Sequence, residues 1–302
     1  MNLNLRSKKL LGINGLGRIG KLLLWNQIHL RHFDGIVVNC GRNIGKDLDD
    51  LIQVIESDST YGSIHKFLYG MAGKKADIKV LDSQKPILEI DGIPIKILRQ
   101  ARDPKDINWL DEGVRIVVDC TGSFLDPTLA AEAGKSCLRG HLNAGALKVI
   151  CSAPFKLKSS SETPADAKTL IFGINHLDYN SAEHHVISAA SCTTTGLSHM
   201  IKPLLENKHT ARIMTASMST IHAATNTQSI LDSVPKSDAT DLRKTRSVLN
   251  NIILSTTGVT KALEQVMPTV KHIGFMADSV RIPISTVSLI NLNVTFITDL
   301  ND

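Results

Sequence analysis

Aromatic residues are scarce in this chain: two tryptophans, three tyrosines and seven phenylalanines make up 4% of 302 residues. So few rings build no stacking platform for bases. The net charge of +5 is spread over dispersed lysines and arginines, so no nucleic-acid partner is predicted. Long hydrophobic runs are missing as well. No apolar stretch approaches the roughly 18 residues of a membrane span, and Met1 to Lys9 lacks the apolar core of a signal peptide, which predicts a cytoplasmic protein with no membrane partner. Cysteine is sparse and unpatterned: Cys40, Cys120, Cys137, Cys151 and Cys192 are odd in number and contain no C-x-x-C pair. That argues against a disulfide framework and a zinc site, and predicts reduced thiols and no bound metal. Internal repeats, low-complexity tracts and flexible linkers are also lacking.

What is present suits an enzyme of the α/β class. With 42% hydrophobic and 21% charged residues, the chain can bury sizeable cores and is expected to fold as two domains. Lys9–Asn14, Gly35–Asn39, Arg115–Asp119 and Lys148–Cys151 are short apolar runs typical of strands buried on both faces of a parallel sheet. Helices are predicted between them, over Asp49–Glu56 and Leu129–Gly134. Residues 73 to 98 alternate instead, around an Asp91-Gly92 turn, and read as hairpins. After Cys192 come a helix, a strand over Arg212–Ile221, a polar segment, a helix around Val248–Ile253 and a strand over Thr286–Phe296.

The first strand runs directly into Gly15-Leu16-Gly17-Arg18-Ile19-Gly20, the spacing G-x-G-x-x-G, with Ile19, Leu22, Leu23 and Ile28 giving the following helix an apolar side. Strand, glycine turn and helix N-terminus come in the order a pyrophosphate needs. The first glycine permits the tight turn, the second lets the backbone approach the phosphates, and the third lets helix and strand pack closely. An ordinary strand-to-helix turn is the plainer alternative.

Cys192 stands in Ser188-Ala-Ala-Ser-Cys-Thr-Thr-Thr195, and thirty positions later comes Thr220-Ile-His222. Leu197, Ile201 and Leu204 recur at helical spacing after the cysteine, which puts the thiol at a helix N-terminus, where dipole and free amides favour a negative sulfur. Cysteine and histidine together make a candidate nucleophile and base. Taken singly, the first is more often a buried hydrophobe and the second a structural histidine.

These residues resemble one family, the phosphorylating glyceraldehyde-3-phosphate dehydrogenases, from Leu11 to about Phe296. The shared motifs occur in order: Asn14-Gly-Leu-Gly-Arg-Ile-Gly20, Asp58-Ser-Thr-Tyr-Gly62, Arg102-Asp-Pro104, Thr121-Gly122, Ser152-Ala-Pro154, Gly173-Ile-Asn-His176, Ser191-Cys-Thr-Thr194, Thr220-Ile-His222, Asp241-Leu-Arg243, Ser255-Thr-Thr-Gly258 and Val280-Arg-Ile-Pro283. The resemblance implies a Rossmann-type doubly wound parallel sheet over 1–190 and an α+β catalytic domain over 191–302. It also implies oxidation of glyceraldehyde 3-phosphate with inorganic phosphate to 1,3-bisphosphoglycerate, through a thioester on Cys192 and with His222 as base. Gly15 to Gly20, Asn39, Arg42, Arg102, Thr121 and Gly122 would hold the nicotinamide cofactor. Ser191, Thr193, Thr257 and Gly258 would bind the attacking phosphate, and Thr225, Thr227, Arg243 and Arg281 the substrate phosphate. A homotetramer is implied too, with the polar segment Ala223–Arg246 ordered against a neighbouring subunit.

The chain departs from the family pattern at several points. Where an acidic residue normally follows the second strand, this sequence reads Val38-Asn39-Cys40-Gly41-Arg42. Loss of that carboxylate beside an arginine would accommodate a 2′-phosphate, so both NAD and NADP stay open. Leu16 replaces a phenylalanine, Ala189 an asparagine, and Thr195-Gly196 an asparagine–cysteine pair. Members of the family also continue beyond the position of Asp302 with further strands, an asparagine that holds the nicotinamide amide, and a C-terminal helix, so the catalytic domain is expected to be incomplete at its C-terminus. Three readings therefore stand: the glyceraldehyde-phosphate enzyme, a neighbouring specificity such as erythrose-4-phosphate dehydrogenase, and a non-catalytic relative acting as a binding protein.

Overall fold

A computed structural model describes residues 9–99, 101–132, 136–157, 162–225, 227–235, 237 and 241–297. The chain divides into two compact units, Met1–Leu170 with Asp178–Ala190, and Ile171–Leu177 with Ser191–Asp302. No helix among the described residues is long and apolar enough to cross a membrane.

The first unit opens with β1 (Leu10–Asn14), α1 (Arg18–Leu30), β2 (Gly35–Asn39) and α2 (Leu48–Glu56), then a two-residue pair β3 (Ser57–Asp58) and β4 (Gly62–Ser63), and α3 (Ile64–Tyr69). Three strands follow, β5 (Ile78–Asp82), β6 (Ile87–Ile90) and β7 (Ile93–Leu98), then β8 (Ile116–Asp119), α4 (Gly140–Asn143), β9 (Lys148–Cys151), β10 (Ala167–Thr169) and β11 (Val186–Ser188). They form one sheet in the order β10-β11-β9-β8-β1-β2-β7-β6-β5. Pairing is parallel from β10 through to β7 and antiparallel for the β7–β6–β5 meander. The strand order reverses at β1, with β2 on one side and β8 on the other, so the carboxyl ends of these three strands flank a topological switch point.

Every residue of β1 and β2 is buried, as expected of strands covered on both faces. On one side Ile13 and Val38 pack with Leu24, Trp25 and Ile28 of α1 and Leu51 and Ile55 of α2. Leu10, Val37 and Val117 pack on the other side with Ile107, Trp109 and Val114. The buried stripe of α1 thus runs through Leu24, Trp25 and Ile28, while Ile19 in its first turn is exposed. Trp25 satisfies its indole by donating to the Ile55 carbonyl at 2.8 Å, which ties α1 to α2.

The second unit contains α5 (Cys192–Glu206), β12 (Ile213–Ala223), β13 (Ile253–Ser255), α6 (Val259–Val266), β14 (Gly274–Ile282) and β15 (Ser288–Phe296). Its sheet has the order β13-β14-β12-β15, with β12 and β14 parallel and the outer pairs antiparallel. Leu197 and Ile201 of α5 and Val259, Leu263 and Val266 of α6 are buried.

Two expected helices are replaced by other structure. Residues 129–132 form a bend and a turn instead of helix, after an Asx turn in which the Asp126 carboxylate accepts from the backbone and hydroxyl of Thr128 at 2.9 and 2.6 Å. Residues 133 and 134 of that span lie outside the described residues. Around Val248–Ile253 the chain makes a turn in which Asn250 takes φ 57, then enters β13, where Ile253 pairs with Arg281. Asparagine tolerates that left-handed conformation, which a helix cannot contain. Within the polar segment, Ser229 bridges to Ser247 and the Ser233 amide donates to the Thr245 carbonyl at 2.9 Å, so its two ends close on each other.

Candidate active site

Asn14, Asn39 and Asp119 occupy the last positions of β1, β2 and β8, where three apolar strands each end in a polar side chain. A cleft of about 370 Å³ opens there, lined by Asn14, Gly15, Asn39, Cys40, Gly41, Arg42, Arg102, Thr121, Ser123 and Phe124. Gly15 takes φ +95, a left-handed value that a side chain would strain. A Cβ on Gly20 would fall 1.9 Å from the Gly15 carbonyl oxygen, so the third glycine of the fingerprint is required by contact between backbones. A Cβ on Gly17, at the N-cap of α1, would meet nothing within 4 Å. The N-terminus of α1 thus has space before it, no acidic residue in its first turn and no side-chain cap, which is a fit for the pyrophosphate of a dinucleotide.

Around the cleft, Arg18 donates to Thr60 at 3.3 Å and lies over the Tyr61 ring, within the Asp58–Gly62 motif. Arg102 donates through Nε to the Gly41 carbonyl at 3.2 Å, tying the loop after β7 to the loop after β2. Burial pushes the Cys40 thiol up to about 11, against the opposing charges of Arg99 and Arg42, so at neutral pH this position after β2 carries no negative charge. Gly122, at φ 65, turns the chain towards a neighbouring cleft of about 430 Å³ lined by Phe124, Leu125, Asp126, Cys137 and Lys156. Asn14, Gly41, Ser123 and Phe124 line this cleft without having been given a role from the sequence. For Asn14, its place beside Asn39 at the end of an apolar strand is a signal that could have found it.

In the second unit, Ser191 caps α5 by accepting from the Thr194 amide at 3.0 Å, which places Cys192 at the first helical position. The thiol is exposed. Its Sγ lies 3.4 Å from Nε2 of His222, near the end of β12, and 4.0 Å from the Thr193 hydroxyl. His222 is register partner of Arg281 in the parallel pair β12–β14. Arg281 Nη1 lies against His222 Nδ1 and 3.1 Å from the Ala223 carbonyl, itself 2.8 Å from Nδ1. Guanidinium nitrogen only donates. The Ala223 carbonyl accepts from Nη1 and from Nδ1–H alike, with the guanidinium packed against the Nδ1 edge of the ring. With the ring hydrogen on Nδ1, Nε2 presents its lone pair to the Cys192 thiol. Burial, and secondarily the charge of Arg281, hold His222 below the usual histidine range. Burial likewise lowers Arg281, against the attraction of a Cys192 thiolate.

The remaining expected phosphate ligands belong to the same unit. Thr225 and Thr227 share a hydroxyl contact of 2.9 Å and both bond Gln228. Thr257 accepts from the Val259 amide at 3.3 Å, and Gly258 is the N-cap of α6. Arg243 is engaged by Asp241 through two bonds of 2.7 and 3.1 Å. Among the described residues, no group of three or more metal-ligating side chains is assembled.

A glycine-fingerprint doubly wound sheet joined to a second α/β unit is the plan of a nicotinamide-dependent oxidoreductase. Comparison with known proteins gives the family. Residues 9–127 match the NAD binding domain of glyceraldehyde 3-phosphate dehydrogenase and residues 191–301 match the C-terminal domain of the same enzyme. Glyceraldehyde-3-phosphate dehydrogenase 1 of Bacillus cereus is 33% identical over 287 residues, covering 94% of this chain and 72% of that protein. The Streptomyces coelicolor enzyme is 35% identical over 283 residues, again 94% and 72% of the two chains. The chloroplastic B form of Pisum sativum is 33% identical over 290 residues, 95% of this chain and 55% of its own. The chain belongs to the glyceraldehyde-3-phosphate dehydrogenase family of oxidoreductases.

Proposed function

We propose that this protein oxidises glyceraldehyde 3-phosphate to an acyl phosphate by cysteine catalysis. The observation that carries the reading is Cys192 at the first turn of α5 with its sulfur 3.4 Å from His222 Nε2. His222 Nε2 takes the Cys192 thiol proton, the thiolate adds to the aldehyde carbon, the imidazolium returns the proton to the resulting alkoxide to complete a thiohemiacetal, and Nε2 takes it again as hydride leaves. The bound nicotinamide supplies the hydride acceptor. The product on sulfur is a thioester, which inorganic phosphate attacks with Cys192 thiolate as leaving group. Ser191, Thr193, Thr257 and Gly258 offer hydroxyls and backbone amide to that phosphate, and Thr225, Thr227, Arg243 and Arg281 serve the phosphate of the substrate. Arg243 must exchange Asp241 for substrate to do so.

Gly15 to Gly20, Asn39, Arg42, Arg102, Thr121 and Gly122 hold the cofactor. NADP competes with NAD because Cys40 is a neutral thiol and Arg42 lines the same cleft. The active form is a homotetramer, which light scattering coupled to size-exclusion chromatography tests directly; a fully active monomer would remove that part of the reading. The reaction itself is tested by following reduction of NAD and of NADP with glyceraldehyde 3-phosphate, with and without inorganic phosphate. Reduction that needs phosphate and vanishes in Cys192→Ser is the expected result. Absence of reduction with either nucleotide refutes it, and a preference for erythrose 4-phosphate moves the substrate assignment to that aldehyde.

A further inference from the structure

Beneath the cofactor cleft lies a buried chain of polar side chains. Trp109 Nε1 donates to His141 Nδ1 at 2.9 Å, and His141 Nε2 lies 3.1 Å from Asp119 Oδ2. Asn14 Nδ2 reaches the same carboxylate oxygen at 2.7 Å, and Asn39 Nδ2 reaches Asn14 Oδ1 at 2.8 Å and the Ala101 carbonyl at 2.9 Å. The other carboxylate oxygen, Oδ1, accepts from the amide and the hydroxyl of Thr121 at 3.0 and 2.7 Å. His141, Asp119 and Trp109 are each 0% exposed. An imidazole and a carboxylate wholly withdrawn from water call for an explanation.

The direction of every link follows from one group. An indole N–H can only donate, so His141 Nδ1 must accept and the ring hydrogen must lie on Nε2, aimed at Asp119. The carboxylate then takes four donors, one for each of its lone-pair sites. With Asp119 accepting from Asn14, the Asn14 carbonyl oxygen is turned to Asn39, which fixes the second amide as well. Three residues held in this way, Asn14, Asn39 and Thr121, line the cofactor cleft, whereas Trp109 and His141 do not. We infer that Trp109 and His141 are positioning residues for the cofactor cleft: the indole locks His141 in its Nε2–H form, and Asp119 so held sets the side chains of Asn14, Asn39 and Thr121 that face the nucleotide.

The inference rests on that cleft being the nucleotide site, and its test separates the two. Ring-¹⁵N histidine NMR of the wild-type protein reads the tautomer without any variant except one for assignment, His141→Gln. A protonated Nε2 with Nδ1 as acceptor is expected; an Nδ1–H ring or an imidazolium overturns the proposal. Trp109→Phe removes the donor and keeps most of the apolar volume. In that variant the His141 Nδ1 signal should shift as it loses its donor, while Asp119 keeps the hydrogen on Nε2, and NAD or NADP should bind about fivefold more weakly, the equivalent of one hydrogen bond. Alkylation of Cys192 without cofactor should keep its rate. A folded Trp109→Phe protein with unchanged nucleotide affinity overturns the proposal; if the variant does not fold, the wild-type tautomer decides it alone. A wild-type protein that binds neither nucleotide refutes the cofactor reading instead.

Discussion

His222 and Arg281 face each other across the parallel strands β12 and β14, with the guanidinium against Nδ1 and the sulfur of Cys192 on the opposite side of the ring. A positive charge on one side of an imidazole makes a second positive charge on the ring harder to form. Burial acts in the same direction and is the larger cause. His222 should therefore titrate below the usual histidine range. Arg281→Gln removes the charge but leaves the burial, so the His222 midpoint should move upward, as read by NMR titration of its ring protons. A midpoint unmoved or lowered in that variant would mean that the guanidinium does not act on the ring.

Among the five cysteines, Cys192 should be alkylated first. Burial pushes Cys40 up to about 11, Cys120 to about 12 and Cys151 to about 11, which leaves roughly one thiolate in 10⁴ or fewer at neutral pH. Cys137 is buried, whereas Cys192 is exposed. Peptide mapping after brief iodoacetamide treatment reads the order, and prior labelling of Cys40 or Cys137 would count against the nucleophile. Cys192→Ser should abolish aldehyde oxidation. His222→Asn should slow acylation by about 10²- to 10⁴-fold and displace its pH profile upward, since the thiol loses the base at Nε2.

How far the sequence shows this depends on the range of each interaction. The glycine fingerprint is local, and Gly15 and Gly20 do in the fold what their spacing implies. Cys192 and the start of α5 are local too. The contact of His222 with Arg281 spans 59 residues and depends on strand register, which periodicity cannot supply; without the family resemblance Arg281 has no mark of its own. Val248 and Ile252 have helical spacing, yet the left-handed Asn250 between them ends any helix. The pairing of Asp119 with His141 is hidden for the same reason as Arg281: each looks ordinary until the sheet brings it to the other.

The fingerprint glycines should separate on mutation. Gly20→Ala forces a Cβ towards the Gly15 carbonyl, which is backbone and cannot swing aside. A loss of about 1–3 kcal/mol or more in urea unfolding is expected from such overpacking. Gly17→Ala meets no protein atom, so it should change stability by less than about 1 kcal/mol while weakening NAD and NADP, because the added methyl stands before the helix N-terminus. Equal nucleotide affinity in Gly17→Ala and wild type would place the pyrophosphate elsewhere.

Cofactor choice turns on positions 40 and 42. A carboxylate after β2 would repel a 2′-phosphate dianion, and here the residue is a neutral thiol beside arginines. Arg42→Ala should weaken NADP about tenfold or more, the effect of a charge-assisted hydrogen bond. NAD should weaken much less, since a ribose hydroxyl gains little from a guanidinium. Cys40→Asp should act in the opposite sense on selectivity, raising the NAD preference by repulsion of the phosphate even with Arg42 in place. Titration of both nucleotides against wild type and the two variants measures all of this. A wild-type protein that strongly prefers NAD, with the preference unaltered by Arg42→Ala, would show that the arginine does not reach the 2′ position and that loss of the carboxylate alone does not admit NADP.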